Sequence, residues 1–130
     1  MHTLVRAIDT LDTVSAIRDL TDALAAERAA PPHFLAIYTS TAHNADALRE
    51  HVAATGAGAI HGGTSCLGVM AGGRMCSDDG RGMGLFALWD DDGAYGTGIA
   101  PIGDNPRGAA SLAVTRALEA AGRVGAMPVP

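Results

Sequence analysis

The feature that most constrains the fold is a short apolar run that follows an amphipathic segment. Residues 34–39, FLAIYT, are rich in strand-forming residues and carry no charge, which predicts an inner strand covered on both faces. Within residues 12–27, apolar side chains recur every three or four positions from Val14 to Leu24, as they do in an amphipathic helix. A helix leading into a buried strand predicts that helices pack against a sheet.

The next segment predicts a second helix and a second strand. Ser40, Thr41 and Asn44 are three candidate N-caps for this helix, which Gly56 is expected to end. Residues 57–60 then form a short apolar stretch, typical of a strand. The first half of the chain therefore alternates helix, strand, helix and strand.

The second half predicts antiparallel strands. Residues 66–70 and 74–76 flank Gly72-Gly73, a favoured two-residue hairpin turn because glycine adopts positive φ without strain. Residues 84–89 form another buried run, and residues 95–99 follow an acidic turn. We interpret these segments as an antiparallel meander.

A third helix closes the chain, with Asn105 as its cap, Pro106 in its first turn and Gly122 as its stop. Its predicted inner face consists of small and apolar residues: Ala109, Leu112, Ala113, Ala117 and Leu118. The expected fold is α/β (α+β-like), with a mixed sheet of about five or six strands. One domain is expected over residues 1–124, followed by a disordered tail at 125–130.

The composition excludes several classes of function. The chain has 9 basic and 14 acidic residues, no lysine and no arginine cluster, which argues against binding to nucleic acid or to an anionic membrane surface. Charges within the first ten residues rule out a signal peptide there, so a cytoplasmic location is expected. Two cysteines are too few for a four-ligand zinc site, and no metal site is predicted.

A ligand site is predicted where two strands end. Gly62, Gly63, Thr64, Ser65 and Gly68 form a glycine-rich loop whose backbone N–H groups and hydroxyls suit a small anion or carboxylate. The loop that holds Ser40, Thr41, His43 and Asn44 follows the neighbouring strand. If the two strands are adjacent and parallel, both loops lie at the same carboxyl edge, where open α/β sheets bind ligands.

An enzyme is the second hypothesis. Cys66 would act as a nucleophile if His61 or His43 served as its base, in acyl transfer or a related reaction on a small substrate. A buried, inert cysteine is the alternative for Cys66, and a partly buried histidine is the alternative for His61.

In the order of its motifs the chain resembles the N-terminal part of a FIST domain. The resemblance is carried by the strand FLAIYT with Ser40 after it, the segment GGTSCLG at 62–68, the strand at 84–89 and the helix opened by Asp104 and Asn105. It covers residues 14–122. Val69 departs from the family pattern, in which an acidic residue commonly follows the last glycine of the signature loop.

The resemblance implies a sensory domain in signal transduction that binds a small molecule, such as an amino acid or another carboxylate. It also implies a third hypothesis, because some similar proteins are haem-based gas sensors; His43, His51 and His61 are then the candidate axial ligands. FIST domains usually continue into a C-terminal half. We therefore expect a homodimer, or a complex with a chain that supplies that half.

Overall fold

The computed structural model of the chain describes residues 1–77 and 79–125. These residues form six strands and three helices. In chain order they are β1 (His2–Ile8), α1 (Thr13–Glu27), β2 (Phe34–Ser40), α2 (Ala45–Ala53), β3 (Ala59–Ser65), β4 (Val69–Ala71), β5 (Arg74–Cys76), β6 (Met83–Trp89) and α3 (Pro106–Ala120). The predicted tail at 125–130 lies outside the described residues, except for Gly125.

The main sheet is mixed, and its strands lie in the order β1, β6, β2, β3. β2 runs parallel to β3, with Phe34 opposite Ala59 and Ser40 opposite Ser65. β6 runs antiparallel to both of its neighbours, β1 and β2. β4 and β5 form a separate two-stranded hairpin. The predicted α/β class with a mixed sheet is confirmed.

Two helices cover one face of this sheet. Asp12 caps α1 by accepting the Ser15 backbone N–H at 2.8 Å, and Asn44 caps α2 by accepting two backbone N–H groups. Ile17 and Leu20 of α1 are almost fully buried against Leu35 of β2 and its neighbours. Burying a side chain of this size stabilises the fold by about 1.5–3 kcal/mol, so this interface is the main core.

Among the described residues no helix covers the other face of the sheet to a comparable extent. Because successive strand residues point to opposite faces, Val5, Tyr38, His61 and Phe86 share this side, which we call the open face. Val5 is 49% exposed and Tyr38 is 45% exposed. β2 is thus an inner strand as predicted, but the expectation that both of its faces are covered is wrong at Tyr38.

Two strands differ from the prediction. β1 was not predicted, and it buries only Leu4 fully. β3 runs from Ala59 to Ser65, whereas the predicted strand covered residues 57–60. Pairing with β2 extends the strand through Gly62 and Gly63, because tertiary pairing overrides the low strand preference of glycine.

The second half contains antiparallel strands, as predicted, but they do not form one continuous meander. β6 pairs with β1 and β2 on its two sides, so it has no free edge for the hairpin or for residues 95–99. Those residues form no strand; Gly96 and Gly98 instead lie directly against the backbone of α3, where a Cβ at Gly98 would collide with the Ala113 carbonyl.

The third helix has the predicted ends but not the predicted burial. The Asn105 side chain accepts the Gly108 N–H at 2.9 Å, and Gly122 has a φ of 65° just beyond the helix. Every residue of α3 is described and none is buried; Leu112 is 43% exposed. Of the predicted inner face, Ala113 and Ala117 lie against residues 96–98, which precede the helix.

Candidate functional site

The two segments predicted to hold a ligand do lie side by side. Ser40 and Ser65 are opposite each other at the carboxyl ends of β2 and β3, and the Thr41 N–H donates to the Ser65 carbonyl at 3.0 Å. Their immediate surroundings differ, however, and this difference decides which side chains can reach a ligand.

The Ser40 side chain and backbone form hydrogen bonds within the sheet. Its side chain is fully buried, and its Oγ accepts the Gly82 backbone N–H at 3.2 Å. Its own backbone N–H donates to the Gly82 carbonyl at 2.8 Å. The hydroxyl therefore ties the end of β2 to the residue that precedes β6. Thr41, next to it, is exposed.

The glycine-rich segment is mostly strand. Gly62, Gly63 and Thr64 are exposed residues of the outer strand β3, and Ser65 is half-buried at its end. Only Gly68 has a left-handed φ, of 123°, and a Cβ there would collide with the Cys76 carbonyl. The predicted loop over 62–68 is therefore corrected to a strand through Ser65 and a tight turn at Gly68. Residues 62–65 do not form the expected cradle of N–H groups.

A cleft of about 280 Å³ lies between the open face and the β4–β5 hairpin. Two predicted ligand residues, Ser65 and Gly68, contribute to its wall. The remaining wall consists of Val5, Tyr38, Val69, Met70, Ala71, Gly84, Leu85 and Phe86. This lining is mostly apolar, with Ser65 as a polar residue at the carboxyl edge of the sheet, where its Oγ accepts the Leu67 N–H at 3.4 Å. A mostly apolar wall with few polar groups is the usual composition of a small-molecule site.

The hairpin forms one wall of this cleft. Gly72 and Gly73 have φ values of 58° and 76°, so the predicted two-residue turn with positive φ at both positions is confirmed. Arg74 donates to the Asp9 carboxylate at 2.6 Å and so connects the hairpin to the end of β1. A Cβ at Gly84 would lie 3.2 Å from Val69 Cγ2, which shows how closely the hairpin approaches β6.

The cysteines and their proposed bases are separated. Cys66 is exposed, Cys76 is buried, and both are free thiols. Among the described residues neither His61 nor His43 is hydrogen-bonded to Cys66. His61 stands edge-on to the Tyr38 ring, with centroids 5.9 Å apart. Within the described residues Cys66 is thus exposed and has no hydrogen bond to either of its proposed bases.

His43 belongs to a buried polar cluster beneath the carboxyl end of β2. Its Nδ1 is hydrogen-bonded to Thr13 Oγ1 at 3.2 Å, and the same hydroxyl accepts the Asn44 N–H at 3.1 Å. His43 Nε2 is buried without a hydrogen-bond partner in the described part of the chain. Burial, assisted by the nearby Arg81 guanidinium, lowers the pKa of His43, so the neutral imidazole is favoured.

Asp12 lies near this cluster and caps α1. Hydrogen bonds from the Ser15 backbone and side chain lower the pKa of this carboxyl, and the positive charge of Arg81 adds to the effect. Thr13 and Arg81 were not singled out from the sequence, since neither belongs to a recognisable motif. Thr13 reaches His43 from the first turn of α1, and Arg81 is held nearby by its hydrogen bond to the Leu11 carbonyl.

The three histidines predicted as candidate haem ligands lie in three different surroundings. His43 is enclosed by α1 and β2, His51 binds the Ala47 carbonyl from within α2, and His61 lies on β3. In the described part of the chain His51 borders a cleft between α1 and α2, whose mostly apolar wall also contains the charged residues Asp22 and Arg28. Haem needs an axial ligand beside an apolar slot, and the cleft next to His51 is the one of these surroundings with both features, so the haem hypothesis stays a prediction.

Two other kinds of feature, a metal-binding cluster and a membrane-spanning helix, are not seen in the described residues. Residues 1–77 and 79–125 contain no group of three or more His, Cys, Asp or Glu side chains placed to hold a metal ion. None of the helices described is long and apolar enough to cross a membrane. The chain is an α/β domain with a cleft of about 280 Å³ on its open face. No family model, no curated protein and no solved structure matches the chain.

Proposed function

We propose that this chain is a small-molecule-binding domain whose ligand occupies the cleft between the open face and the β4–β5 hairpin. The observation that carries the proposal is the cleft itself, which has a volume of about 280 Å³ and a mostly apolar wall with Ser65 among its few polar residues. That volume lies near the lower end of the range for ligand pockets, which starts at about 300 Å³, so it suits a molecule of about the size of an amino acid.

The proposed contacts differ from those first expected. Val5, Tyr38 and Phe86 would supply apolar contact, and Ser65 would bind the ligand's polar group. Ser40 is not among the proposed ligand contacts, because its buried hydroxyl accepts the Gly82 N–H. The exposed residues Thr41, Gly62, Gly63 and Thr64 do not line the cleft. The preferred ligand is therefore a largely apolar small molecule with one polar end, such as an apolar amino acid or a short carboxylic acid.

The resemblance to FIST domains supports a sensory role for this binding, without catalysis. The charges within the first ten residues support a cytoplasmic location. An enzyme using Cys66 remains the second candidate, and the exposure of its thiol is the observation in its favour. Rapid alkylation of Cys66 near neutral pH would support the enzyme.

Native mass spectrometry of the protein purified from its host tests the proposal first. A co-purified small mass without visible absorbance would support it and would give the ligand's weight. A thermal-shift screen of apolar amino acids and short carboxylic acids follows. At a hundred times its Kd a ligand adds about 2.7 kcal/mol to the free energy of unfolding, which raises the Tm by about 10 °C in a chain of this length.

A filled-cleft variant locates the site. Val5 lines the cleft from β1 and is half exposed, so Val5→Trp should fill the cleft without disturbing the core and should abolish the ligand-induced rise in Tm. Thr3→Trp is the matched control, because Thr3 lies on the same face of the same strand but outside the cleft. Equal binding by both variants would place the ligand elsewhere. A Soret band in the purified protein would favour haem instead.

A further inference from the structure

The outer edge of β3 is an unprotected strand edge. Its residues His61, Gly62, Gly63 and Thr64 are exposed, and the strand contains no charged residue and no proline. Soluble proteins normally protect such edges with charges, proline or a covering segment, because free backbone groups pair with other strands. Among the residues described, no strand pairs with this edge.

The opposite edge of the sheet is protected in the usual way. β1 contains Arg6, and the β4–β5 hairpin lies beside it, held by the ion pair between Arg74 and Asp9 at 2.6 Å. The two edges of the same sheet thus differ in charge and in cover. This difference makes β3 the edge available for an interface.

The ladder with β2 fixes which backbone groups of β3 are free. Ala59 N–H donates to the His33 carbonyl at 2.9 Å, and the Ser65 carbonyl accepts the Thr41 N–H at 3.0 Å. Backbone groups of successive strand residues alternate in direction, so residues 59, 61, 63 and 65 bond to β2. Ile60, Gly62 and Thr64 therefore point both their N–H and their carbonyl outward.

We propose that β3 pairs antiparallel with β3 of a second copy of this chain, across a two-fold axis at Gly62. The three outward-facing residues are placed symmetrically about that glycine. Gly62 would lie opposite Gly62 of the partner subunit, and Ile60 opposite Thr64 of the partner subunit. This pairing makes about six backbone hydrogen bonds and joins the two sheets into one.

The side chains of β3 are complementary to themselves in this register. Gly62 has no side chain to collide at the axis, where two identical residues must meet. Ile60 and Thr64 are β-branched, and such residues pack well as a cross-strand pair. On the open face His61 would lie opposite the partner's Gly63, which leaves room for the imidazole.

Electrostatics favour a second copy over a charged partner. Residues 51–73 contain no Asp, Glu, Lys or Arg, although the chain as a whole has a formal charge of −5. Two identical acidic proteins repel each other at most orientations, and this uncharged segment lets them approach without placing like charges opposite each other. The same segment gives a charged peptide nothing to recognise.

Thr64→Pro tests the interface in the full chain. Proline removes the outward N–H of residue 64 and leaves the β2–β3 ladder intact, since Thr64 does not donate to β2. We expect the wild type to be a dimer by light scattering after size-exclusion chromatography, and the dimer Kd to rise by at least about a hundredfold in Thr64→Pro. Thr64→Val keeps the N–H and the strand preference and should remain a dimer.

Residue-resolved hydrogen exchange supplies a second measurement that does not depend on how well the proline variant folds. In the wild-type dimer the amides of Ile60, Gly62 and Thr64 should be protected together with those of His61 and Gly63. On dilution to the monomer only the outward-facing set should lose protection. A wild type that is monomeric up to near-millimolar concentration, a dimer in which the Ile60 and Gly62 amides exchange freely, or an equally tight Thr64→Pro dimer would each overturn the proposal.

Discussion

Ser40 provides a sharp test of how the sheet is held together at its carboxyl edge. In Ser40→Ala the Gly82 N–H, which is buried, loses the Oγ that accepts it at 3.2 Å. Leaving a buried backbone donor without a partner costs about 1–3 kcal/mol, and the volume removed is too small to add a large cavity cost. We therefore expect the free energy of unfolding to fall by that amount.

The corresponding change in Tm follows from the length of the chain. Unfolding entropy is about 2.1 cal/mol/K per residue, or about 0.27 kcal/mol/K for 130 residues. The Ser40→Ala variant should therefore melt about 4–11 °C below the wild type in differential scanning calorimetry. Urea unfolding should show a lower midpoint with an unchanged slope, since the fold is the same.

Thr41→Ala is the matched control, because Thr41 is exposed and follows Ser40 directly. Its stability should stay within about 0.5 kcal/mol of the wild type. An unchanged Tm in Ser40→Ala would refute the reasoning from the orphaned Gly82 donor. If Ser40→Ala instead lost ligand binding at unchanged stability, Ser40 would be a ligand contact, as first predicted.

Two further predictions concern the pH response and the segment before α3. Because the pKa of His43 is lowered in the fold, the unfolded chain binds a proton first as the pH falls below about 6.5, and the stability of the fold should decline there. His43→Asn should flatten that part of the profile of Tm against pH. An equally steep profile in the variant would assign the decline to another group. Gly98→Ala should detach residues 95–99 from α3, because the new Cβ collides with the Ala113 carbonyl. Limited proteolysis should then cut the chain before α3, while the Tm of the core stays unchanged. Thr97→Ala is its control, and equal protease resistance of the two variants would contradict the packing described.

Local signals predicted the elements whose stability is local. α1 begins at its Asp12 cap because a side-chain acceptor and an apolar period coincide there, and both are visible in the sequence. The Gly72-Gly73 turn is likewise determined by φ preference alone. β1 gave no such signal: its single fully buried residue, Leu4, faces the core only because β6, about eighty residues later, pairs with it.

The candidate site was predictable only in part, for the same reason. Ser65 and Gly68 stand in the glycine-rich segment and were identified, because parallel strands bring their ends to one edge. Val5, Met70 and Phe86 were missed, since the cleft forms when the hairpin folds over the open face. That placement depends on tertiary contacts such as Arg74 with Asp9, which no periodicity reveals.

The central position of β6 has a consequence for the order in which the chain acquires structure during synthesis. β1, α1, β2, α2 and β3 are all translated before residues 83–89, yet β1 joins the sheet only through β6. A nascent chain that ends before Met83 has β2 with one bare side and β1 without a partner. The last sheet strand to leave the ribosome therefore completes the domain, and the apolar strands made before it must stay separate from other chains until it arrives.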